Sequence, residues 1–178
     1  AALKFYNNCS ASFVSPTGLV MTNHHCSRDV VTSLQKEGES FEKNGFYATS
    51  MAEERRNPEL YVEQLIKVAD VTEKMKTLIG TPTDVERQAK TQEAITAVAK
   101  EYTSKPGWEG LRLQTVPFYS GAKYSLYGYK RFTDIRLVFI PETDLGFFGG
   151  DADNFTYPRY NLDCTFWRVY DEMGQPLN

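Results

Sequence analysis

Residues 17–26 read Thr-Gly-Leu-Val-Met-Thr-Asn-His-His-Cys, and this stretch decides both the fold and the candidate site. A turn of small residues leads into an apolar run, which predicts a buried strand that ends at two histidines. A strand end is rigid, so it can hold an imidazole still. A general base must stay within hydrogen-bond distance of the proton that it removes. The stretch therefore makes one of these histidines a candidate base.

The composition is that of an ordinary globular domain. The chain has 178 residues, which suggests one domain or two small ones. Hydrophobic residues make up 41% and charged residues 24% of it. The net charge of −3 and the lack of a basic cluster argue against a nucleic-acid partner. No apolar run approaches the roughly 20 residues that a membrane-spanning helix needs.

The pattern of apolar residues predicts a mainly β chain with one helical interruption. Strands are expected by alternation and by β-branched and aromatic content at 11–23 (a hairpin), 61–68, 111–116, 124–129, 131–140 and 164–170. Two helices are expected within the insertion 69–104. The first covers roughly 70–79, and the second begins at a capping box in which Thr83 is the cap and Glu86 follows three residues later. Residues 149–154 are predicted to form a loop.

The chain has two histidines, and they are adjacent. On a strand, neighbouring side chains point to opposite faces, so only one of the pair can face a given cleft. His25, directly before Cys26, is the better candidate base, and His24 is then structural. Taken without its surroundings, such a pair is more often explained by packing than by catalysis.

Metal binding is a second interpretation of these residues. His24, His25 and Cys26 cannot easily converge on one ion, because tetrahedral zinc sites use spaced ligands. Asp151 and Asp153 suggest calcium, but the run lacks the later ligands of an EF-hand loop. We therefore predict no metal ligand and no cofactor.

Asp163 is a candidate partner for the base. It precedes a run of alternating apolar residues that predicts a strand. An aspartate at such a point can accept the Nδ1–H of an imidazole and stabilise the imidazolium. Most aspartates at strand starts only cap a turn, and Asp151 and Asp153 are rival candidates.

Three motifs in order resemble the bacterial dipeptidyl-peptidase 7/11 family. They are Thr-Asn-His-His-Cys at 22–26, Tyr-Lys-Arg-Phe-Thr-Asp-Ile-Arg-Leu-Val at 129–138 and Gly-Gly-Asp-Ala-Asp-Asn-Phe-Thr-Tyr-Pro-Arg at 149–159. Members of that family are periplasmic or surface serine exopeptidases with a chymotrypsin-like double β-barrel and an added helical domain. The resemblance covers nearly the whole chain and concerns the N-terminal part of the family.

The resemblance implies a fold and its boundaries. The fold class is mainly β with a helical insertion (α+β), namely a chymotrypsin-like antiparallel β-barrel half that carries a helix hairpin. Residues 1–178 would form the N-terminal part of a trypsin-like peptidase domain, with 69–104 as the helical insertion within it.

The resemblance also implies roles for single residues. His25 matches the catalytic base, and Asp163 matches the aspartate that orients it. Asn154 matches the residue that binds the free α-amino group of the substrate. Phe155 lies beside that pocket where the family usually has tryptophan, so the aromatic wall stays while the indole N–H is lost.

A disulfide between Cys9 and Cys26 is implied as well. It would tie the chain before the strand to the histidines. The alternative is a set of three buried thiols in a reducing compartment. With the disulfide formed, Cys164 is the odd thiol.

The nucleophile is expected to lie outside these residues. In the family it belongs to a Gly-x-Ser-Gly type of motif far downstream, and residues 119–122 do not fit that motif. We therefore expect a piece of a longer serine dipeptidyl-peptidase that is inactive alone, acts on peptides with a free N-terminus when complete, and is located in the periplasm, at the cell surface or outside the cell. A homodimer is left open. The alternatives are a non-catalytic secreted peptide-binding module or degenerate peptidase, and a calcium-binding structural domain.

Overall fold

The structure is a computed structural model that describes residues 1–7 and 9–177, apart from the side chain of Asp151. Ten strands lie within the described residues: β1 (Ala2–Phe5), β2 (Cys9–Phe13), β3 (Leu19–Thr22), β4 (Phe46–Tyr47), β5 (Arg55–Asn57), β6 (Val62–Asp70), β7 (Arg112–Phe118), β8 (Lys123–Phe132), β9 (Asp134–Ile140) and β10 (Thr165–Tyr170). Six α-helices accompany them: α1 (Arg28–Val31), α2 (Phe41–Asn44), α3 (Thr72–Ile79), α4 (Asp84–Thr103), α5 (Thr143–Phe147) and α6 (Gly150–Asn154).

The chain divides into two compact units, Ala1–Glu63 with Phe132–Asn178, and Gln64–Arg131. In the first unit, neighbouring strands follow the order β4-β9-β10-β3-β2-β1, and β5 also pairs with β9. The pairings β1–β2, β2–β3, β3–β10, β9–β10, β4–β9 and β5–β9 are all antiparallel. The predicted hairpin at 11–23 is confirmed as β2 and β3.

The pairing of β3 with β10 sets the register at the centre of the first unit. Thr22 lies opposite Thr165, and Val20 lies opposite Trp167. Both Val20 and Trp167 are fully buried in one apolar core. The turn that enters β3 is held close to β10 as well, because a Cβ at Gly18 would lie 2.7 Å from the backbone oxygen of Val169. Antiparallel pairing then places the residues after Thr22 next to those before Thr165.

The second unit carries the helix hairpin. α4 begins at the predicted capping box, where the Thr83 backbone N–H donates to the Glu86 carboxylate at 3.2 Å. Both helices contribute to a separate apolar core, and β7 pairs with β8 in antiparallel fashion. The buried residues of that core are Val71, Met75, Ala94, Val98, Trp108 and Leu126.

Antiparallel strands with a helix hairpin confirm the predicted mainly β, α+β class. Several elements of the first unit differ from the prediction, and β1, α2 and α5 among them were not predicted. β4 and β5 lie within residues 38–60, a polar stretch whose sequence predicts irregular structure, and the predicted loop at 149–154 contains helix α6. None of the helices in the described residues combines the length and the apolar character needed to cross a membrane.

A buried carboxylate joins β10 to the segment before β5. The Glu54 side chain is 2% exposed and accepts hydrogen bonds from Arg168 Nε at 2.8 Å and from the Tyr170 hydroxyl at 2.7 Å. The guanidinium of Arg136 covers the Tyr170 ring, 3.7 Å from its centre. Burial, together with the bond to Glu54, raises the pKa of Tyr170 to about 12.

This cluster predicts an alkaline loss of stability. Tyr170→Phe is expected to lower the free energy of unfolding by about 1–2 kcal/mol at neutral pH, because Glu54 loses a donor in a buried site. A tyrosine in an unfolded chain ionises near pH 10. The difference in free energy of unfolding between the wild type and the variant should thus be complete below about pH 10 and be lost as the pH rises towards about 12. Urea unfolding measures it.

Tyr47→Phe is the matched control, because Tyr47 is 67% exposed. It should leave the free energy of unfolding unchanged at either pH. A Tyr170→Phe deficit of the same size at about pH 9 and about pH 11 would contradict the prediction.

Candidate active site

His24 and His25 lie in the turn that follows β3, and not on the strand as predicted. The strand ends at Thr22. The backbone oxygen of His24 accepts the N–H groups of Ser27 and Arg28, both at 2.9 Å, and α1 begins there. The two side chains still have different surroundings, as predicted. The cause is the tight turn of the backbone, and not the alternation of side chains along a strand.

Cys9 and Cys26 are joined by a disulfide that spans 17 positions. It links the start of β2 to the residue that follows His25, so the turn is covalently tied to the sheet. In the chain-entropy picture a loop of this size stabilises the fold by about 3 kcal/mol. Cys164 is a free thiol, half-buried, one residue before β10.

His25 and Asp163 meet, although 138 positions separate them in the chain. The ring Nδ1 of His25 lies 2.9 Å from Oδ2 of Asp163, and the His25 backbone N–H donates to Oδ1 at 3.1 Å. The Asp163 side chain is 7% exposed and the His25 side chain 37%. The register of β3 and β10 explains the contact, because His25 follows Thr22 while Asp163 precedes Thr165.

Asp163 is held as a carboxylate. Burial by itself raises the pKa of a carboxyl group, but the hydrogen bonds from the His25 backbone, the Asn154 amide and the His25 ring outweigh it and leave the pKa of Asp163 below its usual value. An ionised Asp163 accepts only, so Nδ1 of His25 is the donor. Nε2 of His25 then carries the lone pair that a base requires.

Asn154 reaches the same carboxylate from helix α6. Its Nδ2 donates to Asp163 Oδ2 at 2.7 Å, which leaves Oδ1 of its amide as an acceptor. Phe155 follows at the end of α6 and is 76% exposed. The structure thus brings His25, Asp163 and Asn154 together, and Phe155 directly follows Asn154 in the chain.

The segment predicted as a loop forms α6 because glycine permits its start. Gly149 has a φ of +64°, a left-handed conformation, and Asp153 folds back over it. The carboxylate of Asp153 lies 3.3 Å from Arg159 Nη2, so a cation already accompanies it. Of the two aspartates that suggested calcium, the side chain of Asp151 lies outside the described residues.

One group in the described part of the chain places three metal-ligand atoms close together, and it consists of Cys9, His25 and Cys26. The two sulfur atoms of this group are bonded to each other. They offer no thiolate, which is the form of cysteine that binds metal.

His24 occupies the opposite environment from its neighbour. It is 1% exposed, and its ring lies so close to α5 that a Cβ at Gly146 would come within 2.7 Å of it. Burial lowers the pKa of His24, against the opposing attraction of the Asp163 carboxylate. A buried ring of this kind is consistent with the structural role predicted for His24.

One residue in the site was not predicted from the sequence. Nδ2 of Asn23 donates to the backbone oxygen of Asp163 at 3.2 Å and to its Oδ2 at 3.0 Å. The signal that could have found it is its place two residues before His25, in the same turn after β3.

Comparisons with known proteins identify the family and the fold. The family model described as Peptidase S46 matches residues 1–178. The Asp/Glu-specific dipeptidyl-peptidase of Flavobacterium psychrophilum is 35% identical over 167 residues, which are 93% of this chain and 23% of that protein. Dipeptidyl-peptidase 7 of Porphyromonas gingivalis is 36% identical over 171 residues, which are 96% of this chain and 24% of that protein.

A solved structure shows the same fold. The crystal structure of Porphyromonas endodontalis DPP11 in complex with the dipeptide Arg-Glu superposes with a TM-score of 0.81 at 33% identity, covering 99% of this chain and 27% of that one. The chain thus spans about a quarter of the length of the relatives that it matches. With a family match from its first residue to its last, the chain belongs to the peptidase S46 family.

Proposed function

We propose that the protein containing this chain is a serine-type dipeptidyl-peptidase, which releases dipeptides from the free N-terminus of peptides. The observation that carries the proposal is the 2.9 Å contact between His25 Nδ1 and Asp163 Oδ2. This is the base and its orienting acid in the hydrogen-bonded geometry that acyl transfer to a serine requires.

The half-exposed ring of His25 suits a base that works at a cleft. Its Nε2 would take the proton from a serine hydroxyl as the oxygen attacks the peptide carbonyl. The same nitrogen would then give the proton to the leaving amine, and water would hydrolyse the acyl-enzyme in a second round. Throughout, the carboxylate of Asp163 stabilises the imidazolium and keeps the proton of Nδ1 in place.

The serine is proposed to come from sequence outside these 178 residues. Within the described residues, the one side-chain hydrogen bond recorded for the His25 ring is that to Asp163. The chain by itself should therefore release no dipeptide.

Asn154 is proposed to bind the free amino group of the substrate. Its Nδ2 is already committed to Asp163, so its Oδ1 is the atom that can accept from an ammonium group. An anchor for the N-terminus this close to the base limits how many residues can precede the bond that is cut. Phe155 would form an apolar wall beside the anchor.

The proposal extends to the location of the protein. A disulfide between Cys9 and Cys26 suits an oxidising compartment, which agrees with a bacterial periplasm, the cell surface or secretion. The homodimer that the sequence leaves open can be tested by sedimentation of the full-length protein.

Asp163→Asn in the full-length protein tests the pair directly. An amide has one acceptor oxygen and must turn its NH₂ group towards at least one of the donors around it. We expect kcat for dipeptide release to fall by about 10⁴-fold, because the imidazole loses its orienting acceptor. Release is measured with dipeptide amides that carry a fluorescent leaving group.

Asp144→Asn is the matched control, since Asp144 is an exposed aspartate of α5. It should retain wild-type kcat. A full-length wild-type protein that binds such peptides without releasing dipeptides would instead support the non-catalytic peptide-binding module.

Asn154→Ala tests the anchor for the amino group. Wild-type protein should prefer a free N-terminus over its acetylated form, because acetylation removes the ammonium charge. We expect the variant to raise KM for the free peptide and to reduce this preference by about tenfold, the value of one charge-assisted hydrogen bond. The ratio of kcat/KM for the two peptides measures it, and an unchanged ratio would speak against the anchor.

A further inference from the structure

Asn23 contacts the main chain and the side chain of Asp163 at once. Its Nδ2 lies 3.2 Å from the Asp163 backbone oxygen and 3.0 Å from Oδ2. The residue itself is exposed. An exposed asparagine contributes little to packing, so its two hydrogen bonds to Asp163, one to the backbone oxygen and one to the mostly buried carboxylate, call for another explanation.

The donors around Asp163 come from two segments of the chain. Asn23 Nδ2, His25 N and His25 Nδ1 belong to the turn after β3, whereas Asn154 Nδ2 belongs to α6. Of the two asparagines, Asn23 alone is recorded as bonding the backbone of Asp163 among the described residues. Asn23 therefore fixes the position of the Asp163 backbone as well as that of its carboxylate.

Asp163 needs such a fixed point. It lies two residues before β10, and its neighbour Cys164 donates its N–H back to Leu162 at 2.9 Å, within the same short segment. The ladder that aligns β10 with β3 starts only at Thr165. The Leu162 N–H donates to the Leu145 backbone oxygen at 2.8 Å and so anchors the segment before Asp163. Without Asn23, the Asp163 carboxylate itself would be held by the His25 contacts and by Asn154.

We propose that Asn23 is a positioning residue, which holds Asp163 against His25 whether or not the substrate engages Asn154. This rests on the proposed function, in which Asn154 also serves the substrate amine. The two asparagines then have separate tasks. Loss of Asn154 should act mainly on KM, whereas loss of Asn23 should act on kcat.

Two substitutions in the full-length protein distinguish the hydrogen bonds that Asn23 donates from the shape of its side chain. Asn23→Ala removes both hydrogen bonds and leaves no cavity, because the side chain is exposed. Asn23→Asp keeps the shape, but it cannot donate and adds a negative charge beside Asp163. We expect kcat for dipeptide release to fall about tenfold in Asn23→Ala, with KM within about twofold, and to fall at least as far in Asn23→Asp.

Asn44→Ala provides the matched control, because Asn44 is an exposed asparagine of α2. It should retain wild-type kcat and KM. Wild-type kcat in Asn23→Asp together with a loss in Asn23→Ala would show that shape matters and overturn the proposal. Wild-type kcat in both variants would overturn it as well, while leaving the dipeptidyl-peptidase assignment intact.

A measurement that does not need activity tests the same contact. The proton between His25 Nδ1 and Asp163 should give a downfield NMR resonance, identified by its absence in His25→Ala. We expect this resonance to broaden or vanish in Asn23→Ala and Asn23→Asp and to persist in Asn44→Ala. If it persists in the Asn23 variants, Asn23 does not position Asp163, whatever reaction the protein catalyses.

Discussion

The antiparallel register between β3 and β10 is the constraint on which the rest of the site depends. It joins Thr22 to Thr165 and so brings two short segments from opposite ends of the chain side by side. A slip of one residue would turn every side chain of β10 to the other face. Trp167 opposes such a slip, because its ring is fully buried and its indole N–H donates to the buried hydroxyl of Ser27 at 3.0 Å. The same bond ties the turn after His25 to the strand that follows Asp163.

A buried carboxylate in this place is unfavourable unless donors surround it. Asp163 meets that requirement through a backbone N–H, an imidazole N–H and two amide groups. The donors that offset its desolvation also fix its orientation, so the stability of the charge and the geometry of the proposed catalytic pair have the same source. Glu54, elsewhere in the first unit, is buried in the same way and accepts hydrogen bonds from Arg168 and Tyr170. Both acids anchor β10, one before its first residue and one along its length.

Local pattern was enough to predict much of the fold, because alternation, turn residues and a capping box act over a few positions. It predicted β2, β3 and both long helices. It did not reveal β4 or β5, which are two and three residues long and exist through pairing with β9. Helix α6 was also missed, since it begins at a glycine whose conformation the sequence does not show. Asp163 was one of three candidate aspartates until the family resemblance singled it out. The residues around an aspartate do not reveal which distant strand its own strand will pair with.

The adjacent histidines show how far backbone geometry can separate two identical side chains. His24 is buried against Gly146 with its Nδ1 unpartnered among the described residues, and its pKa is lowered by that burial. The His25 side chain is half-exposed, and its Nδ1 contacts the carboxylate of Asp163. A charged imidazolium at position 24 would need a partner that the buried ring lacks, whereas at position 25 the carboxylate supplies it. The turn that begins at His24 therefore buries one ring in the packing against α5 and leaves the other half-exposed, in contact with Asp163.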